Sequence, residues 1–183
     1  MSDILRATKG VEAFHQSVNL HFLETSEILQ NQQKKAVEEF TNIACPATWH
    51  KDISDVPEDV PIFCVGNEFI DALPVRQLVK DDTVWLEKCV FIAEDGSFEF
   101  ITKPADVELQ QLLPSESNNA RKGDIYEISP ARHSWLMSFA QKLKSSGGVG
   151  LFIDYGYEEP VEGETFQAVK DHSYVDPLKM PGR

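Results

Sequence analysis

Residues 61–66 read PIFCVG, an apolar run held between a proline and a glycine. A strand with one wet face alternates apolar and polar side chains. An unbroken run bounded by turn residues therefore predicts a strand buried on both faces, as in a parallel sheet covered by helices. Two other segments repeat the pattern. Residues 18–24 (VNLHFLE) lead into TSEILQNQQKKAVEEF, where Ser26 can cap a helix carrying Ile28, Leu29, Ala36, Val37 and Phe40. Residues 149–156 (VGLFIDYG) follow ARHSWLMSFAQKLK, a helical stripe of Trp135, Leu136, Phe139, Ala140 and Leu143 that stops at the glycines of SSGG. The segment ATWHKDI adds a shorter strand. Strands alternating with helices in this way predict an α/β fold with a doubly wound parallel sheet.

Residues 75–104 break that rhythm. Strand-like runs there are separated by the turn signals Lys80-Asp81-Asp82 and Glu94-Asp95-Gly96, which is the pattern of hairpins. An antiparallel β insertion at about 75–104 is expected, with PSESNNARKGD after it as a surface loop. At the other end MSDILRATKG reads as helix, with Ile4, Leu5 and an apolar partner further on at helical spacing, and nothing before it opens a domain. The expectation is a single partial domain over 1–183, an internal piece of a longer protein.

Thirty acidic residues against 17 Lys and Arg give a formal net charge of -13, with no basic stripe. Nonspecific binding to nucleic acid or to an anionic membrane surface is disfavoured. No apolar run approaches the roughly 20 residues that span a bilayer, so no membrane insertion is expected. Cys45, Cys64 and Cys89 are widely spaced and form no C-x-x-C pair, which predicts reduced, mostly buried thiols. The five histidines show neither H-E-x-x-H nor His-x-His spacing, and no serine sits in a G-x-S-x-G elbow. No metal site and no serine nucleophile are expected. SGGVG precedes a strand, whereas phosphate-binding glycines follow one, so it reads as a helix stop.

Candidate residues gather at the predicted strand ends, where open α/β sheets bind ligands. Glu24, with Thr25 beside it, ends the first strand, and an acid there can accept both ribose hydroxyls of a nucleotide or cap the next helix. Asn67, Glu68 and Asp71 follow the PIFCV strand and could hold a cationic group by charge-assisted hydrogen bonds. Asp154, Tyr155, Gly156 and Tyr157 end the last strand, their aromatics available to wall a pocket. His172, in AVKDHSYVDPL, lies on the tail beyond that strand. Glu127, in IYEISP, is read as an acid capping the helix after it.

Taken in order, DILRATK, LHFLETSEILQNQQ, TWHKDISDVP, GNEFIDALPVRQ, IYEISP, GLFIDYGY and TFQAVKDHSYVDPL followed by MPG resemble the MidA family. That family comprises the mitochondrial complex I assembly methyltransferases and their bacterial relatives. The resemblance implies an incomplete Rossmann-like class I S-adenosylmethionine methyltransferase fold with the β insertion noted above. It implies S-adenosyl-L-methionine as cofactor, a protein arginine side chain as substrate, and a complex I core subunit as target in eukaryotes. The compartment would be the mitochondrial matrix in a eukaryote and the cytoplasm in a bacterium. Glu24 and Thr25 would meet the cofactor; Glu68, Asp71 and Asn67 would be the catalytic set; Asp154, Tyr155, Gly156, Tyr157 and His172 would line the substrate pocket. The family often has His where this chain has Asn67.

The family's glycine-rich element, E-x-G-P-G-x-G-T-L, does not occur in these 183 residues. The chain alone is therefore expected to be inactive, because those glycines let backbone approach the cofactor closely. Two other functions remain open from the residues: a noncatalytic assembly or binding module, and a nicotinamide-dependent oxidoreductase, the latter resting on Glu24 at a strand end.

Overall fold

The computed structural model of the chain describes residues 1–41, 45–156, 158 and 163–179. In chain order its helices are α1 (Ser2–Ala7), α2 (Glu12–Ser17), α3 (Glu27–Thr41), α4 (Val107–Gln110) and α5 (Pro130–Ser146). Its strands are β1 (Leu20–Leu23), β2 (Ala47–His50), β3 (Ile62–Asn67), β4 (Arg76–Asp81), β5 (Val84–Ile92), β6 (Phe98–Pro104), β7 (Ile125–Ile128), β8 (Gly148–Ile153), β9 (Ala168–Lys170) and β10 (Ser173–Val175). The chain divides into two compact units, one of residues 1–63 and 137–149, the other of 64–136 and 150–183.

In the first unit β1 and β2 pair in parallel, Leu20 opposite Ala47 and Leu23 opposite His50. Leu5, Leu20, Val37, Phe40 and Cys45 form its core, with Val18, Phe22, Ala47 and Trp49 packed against them. Ser26 caps α3 as expected, its hydroxyl accepting the Leu29 N–H at 3.4 Å. Val37 and Phe40 are buried, but Ile28 and Leu29 are not. A fifteen-residue helix is about 22 Å long and a four-residue strand about 13 Å, so one end of α3 has no strand beneath it.

The α5 stripe holds one surprise. Lys142 is buried, and its ammonium donates to the carbonyls of Val56 at 2.7 Å and Ser54 at 3.3 Å and to Glu58 at 2.9 Å. Three acceptors replace the water it gives up. The helix then stops at Gly147, in the left-handed region at φ 72°, with its N–H on the Leu143 carbonyl.

The second unit carries the insertion as a four-stranded antiparallel sheet in the order β6-β5-β4-β7. Leu78, Ala105, Leu109 and Ile128 are its core, with Trp85 and Leu113 alongside. β7 corrects the sequence reading of Glu127. IYEI is the outer strand of this sheet, and Glu127 caps no helix: its carboxylate accepts from Gln77 at 2.7 Å and from the Thr165 N–H at 3.0 Å and hydroxyl at 2.5 Å. Burial opposes its ionisation, yet the bonds from Thr165 and Gln77 outweigh it and hold the carboxyl below its ordinary value.

β3 pairs with β8. Within the first unit Ile62 donates to the Gly147 carbonyl, and within the second Glu68 donates to the Ile153 carbonyl, so the pair is parallel. One face is covered by the rings of Phe69, Trp135 and Phe152. The expectation of burial on both faces fails: Phe63, Val65, Val149, Leu151 and Ile153 are exposed among the described residues. A two-stranded sheet presents alternate residues to opposite faces, and the aromatic layer covers one of them.

Glu87, on β5, is buried between Arg76 and Lys103. The hydrogen bond from Arg76, and then the ion pair with Lys103, hold its carboxyl below the ordinary 4.5 against the cost of burial. A depressed carboxylate stabilises the fold above its unfolded value and loses that contribution as pH falls through the folded one. Urea midpoints should therefore drop as pH is lowered below 4.5. Glu87→Gln should start lower at neutral pH and flatten that acid limb; an unchanged slope would remove Glu87 from the account.

Candidate functional site

β3 ends at Asn67, and the next residue, Glu68, takes a left-handed backbone at φ 49°. Few non-glycine residues adopt that conformation, and it costs on the order of 1 kcal/mol. Pairing holds it there, since the Glu68 N–H donates to the Ile153 carbonyl at 2.8 Å. The chain then turns, and Asp71 donates its N–H to Asp154 Oδ2 at 3.0 Å. The other Asp154 oxygen accepts the Tyr155 N–H at 3.1 Å. Asp154 thus ties the residues after β3 to those after β8, with both carboxylate oxygens on backbone donors.

The carboxylates of Glu68 and Asp71 differ from that of Asp154. Both residues are exposed, and among the described residues neither side chain has a hydrogen-bond or ion-pair partner. Tyr155 records how near they are. Its phenol titrates above its ordinary value because the charge of Glu68, then burial, then Asp71 and Asp154 all disfavour a phenolate. Four of the sequence-derived residues, Glu68, Asp71, Asp154 and Tyr155, therefore meet at the carboxyl ends of β3 and β8. Asn67 and Gly156 flank them, both exposed. Tyr157 lies outside the described residues. His172 sits on the tight turn between β9 and β10, in left-handed backbone at φ 61° beside Asp171, and makes no hydrogen bond among the described residues.

Glu24 belongs to the first unit, at the end of β1. Its N–H donates to the His50 carbonyl at 3.0 Å, and its Oε1 accepts the Ser26 N–H at 2.8 Å. Oε2 has one long contact, from Gln33 at 3.4 Å. The carboxylate helps to start α3, and an ionised carboxylate with about four acceptor sites keeps capacity for a diol. Thr25 beside it is exposed.

One pair escaped the sequence reading. His21 Nδ1 and His50 Nε2 lie 2.9 Å apart, with their rings stacked. Burial, then the neighbouring His50, hold His21 below its ordinary value, while Asp59 acts the other way. The two are 29 positions apart. Only the parallel register of LHFL on ATWH brings them to one face.

A family model described as "Putative S-adenosyl-L-methionine-dependent methyltransferase" matches residues 1–183. The Caenorhabditis elegans protein named Protein arginine methyltransferase NDUFAF7 homolog, mitochondrial, is 30% identical over 198 residues, covering 100% of this chain and 46% of that protein. The mouse protein of the NDUFAF7 name is 23% identical over 202 residues, covering 99% of this chain and 45% of the relative. The chain spans less than half the length of these curated relatives. Among solved structures, a Burkholderia thailandensis protein bound to S-adenosyl-homocysteine superposes with a TM-score of 0.60 at 23% identity, over 85% of this chain and 38% of that one. A native crystal structure from the same organism gives 0.57 at 22% identity, over 76% and 36%. The likeness is one of fold, and it agrees with the α/β reading.

Proposed function

The chain belongs to a family of S-adenosyl-L-methionine-dependent methyltransferases, and from that premise we propose that it forms part of a protein arginine methyltransferase whose substrate guanidinium docks on Glu68 and Asp71. The observation carrying this reading is the pair of exposed carboxylates without a cationic partner among the described residues, Asp71 held by its N–H on Asp154 and Glu68 by its N–H on the Ile153 carbonyl. A guanidinium is planar, permanently charged and rich in donors, and two carboxylates can fix its plane and direction. The names of the relatives support the same substrate class.

Bound cofactor would supply an electrophilic methyl group on a sulfonium. Glu68 and Asp71 would fix the plane of the guanidinium and orient its attacking nitrogen, and one of the two carboxylates would accept the proton that this nitrogen sheds as it gains the methyl group. Tyr155 would wall the pocket. Within the first unit taken by itself, Glu24 would offer Oε2 to a ribose, since its long contact with Gln33 leaves that oxygen available. The resemblance to complex I assembly methyltransferases supports a core subunit of respiratory complex I as protein substrate. It also supports a mitochondrial setting in a eukaryote and a cytoplasmic one in a bacterium.

Calorimetry tests the cofactor. A full-length relative should bind S-adenosylhomocysteine at micromolar order and reduced nicotinamide dinucleotide not at all. The chain alone should bind S-adenosylhomocysteine far more weakly, because several backbone hydrogen bonds of about 1 kcal/mol each come from a glycine loop that its sequence does not contain. Tight nicotinamide binding would replace this reading with hydride transfer. Binding without methyl transfer to any arginine-bearing protein would favour a noncatalytic module.

A further inference from the structure

Among the described residues β6 is an open edge of the insertion sheet, with each of its own residues exposed. Its register on β5 fixes which backbone groups face outward. The Ala93 N–H donates to the Ser97 carbonyl and the Ala105 N–H to the Trp85 carbonyl. Together with the pairing of Glu87 with Lys103 and Cys89 with Ile101, this turns the odd-numbered residues of β6 toward β5. Phe98, Phe100, Thr102 and Pro104 therefore direct their backbone groups to the open side. Exposed edges of this kind template pairing with another strand.

We infer that the occupant is a second copy of this chain, its β6 running antiparallel to this one about a twofold axis through Ile101. In that register Phe100 lies opposite the partner's Thr102 and exchanges both backbone hydrogen bonds with it. Phe98 meets the partner's Pro104, apolar against apolar. Glu99 faces the partner's Lys103, and Lys103 the partner's Glu99, in the closer, non-hydrogen-bonded positions. Ile101 meets its own copy.

Charge selects this register over its neighbours. Moving the axis to residue 99 sets Glu99 against the partner's Glu99, while moving it to 100 or 102 leaves both charges opposite neutral residues. Glu99 has no ion-pair partner among the described residues, and Lys103, whose ammonium already meets Glu87 at 3.3 Å, stays half exposed with further N–H donors for the partner's Glu99. The apolar side chains at the edge, Phe98, Phe100 and Ile101, are each about 40% exposed and would lose water on pairing. An interface of this small size gives a dissociation constant of roughly micromolar order.

Sedimentation equilibrium of the chain should show a monomer–dimer equilibrium that weakens with salt. Thr102→Pro removes an outward N–H without touching the ladder to β5, so it should give a monomer with unchanged far-ultraviolet circular dichroism. Glu99→Lys sets like charges opposite each other twice and should raise the dissociation constant about tenfold. Hydrogen exchange at Phe100 and Thr102 should slow as concentration rises. A chain that stays monomeric at hundreds of micromolar overturns the inference. So does a dimer that survives both substitutions, or one whose Phe100 and Thr102 amides exchange at the same rate at all concentrations.

Discussion

In an enzyme of full family length carrying these residues, Glu68→Gln is expected to lower methyl transfer about a hundredfold or more. Affinity for S-adenosylhomocysteine should stay nearly unchanged. The substitution keeps the length of the side chain and one acceptor oxygen, but removes the charge that would hold a guanidinium beside Asp71. It also leaves the backbone bond to Ile153 in place, so the fold is spared. Rate and binding therefore separate. Single-turnover transfer from labelled cofactor, measured beside calorimetry, reads both. A variant with full activity would end the proposed role of Glu68, and a variant that loses cofactor binding equally would show a structural role instead.

Gly148→Ala is expected to cost about 3 kcal/mol or more and to abolish a cooperative melt. Gly148 has φ 123°, a conformation that L side chains rarely adopt, and a Cβ there would lie 1.9 Å from the Ile62 carbonyl oxygen and 2.6 Å from its nitrogen. Both obstacles are backbone, so no rotamer change relieves them. Gly66→Ala is the control. Its Cβ would meet Phe152 Cδ1 at 2.8 Å, but its backbone needs no left-handed conformation and a ring can tilt. Denaturant midpoints should rank native above Gly66→Ala above Gly148→Ala; a Gly148→Ala protein as stable as native would show that β3 and β8 approach less closely than described.

The order of elements was legible because each kind of segment carries a local signal. Ser26 before an apolar helix stripe, the glycines after Leu143 and the turns at Asp81 and Asp95 all act within a few residues of themselves. Burial was less legible. PIFCVG does form β3, but the two-sided cover that an apolar run suggests depends on layers that no single segment encodes. Glu127 was misread for the same reason. The helix after IYEI is visible in sequence, while the pairing of β7 on β4 that makes Glu127 a strand residue, and the bonds from Gln77 and Thr165 that engage its carboxylate, come from 50 and 38 positions away. Nothing local marks Lys142 on α5 as buried, because the carbonyls of Ser54 and Val56 that receive its ammonium lie 88 and 86 positions away.

The strand-end acids were legible as a group and illegible as individuals. Position after a strand told that Glu68, Asp71 and Asp154 gather at one edge. It could not tell that Asp154 is bound to backbone while the other two are open. That division of labour comes from one hydrogen bond spanning 83 positions.

The left-handed backbone of Glu68 sets stability against chemistry at a single position. Glycine or asparagine would sit there with less strain, and either would remove the carboxylate proposed to hold the substrate. Aspartate tolerates the conformation better than glutamate but carries its charge one methylene shorter. Selection for a more robust fold would therefore push this residue away from glutamate, so stabilisation schemes that score folded-state energy alone would erode the proposed activity first at position 68.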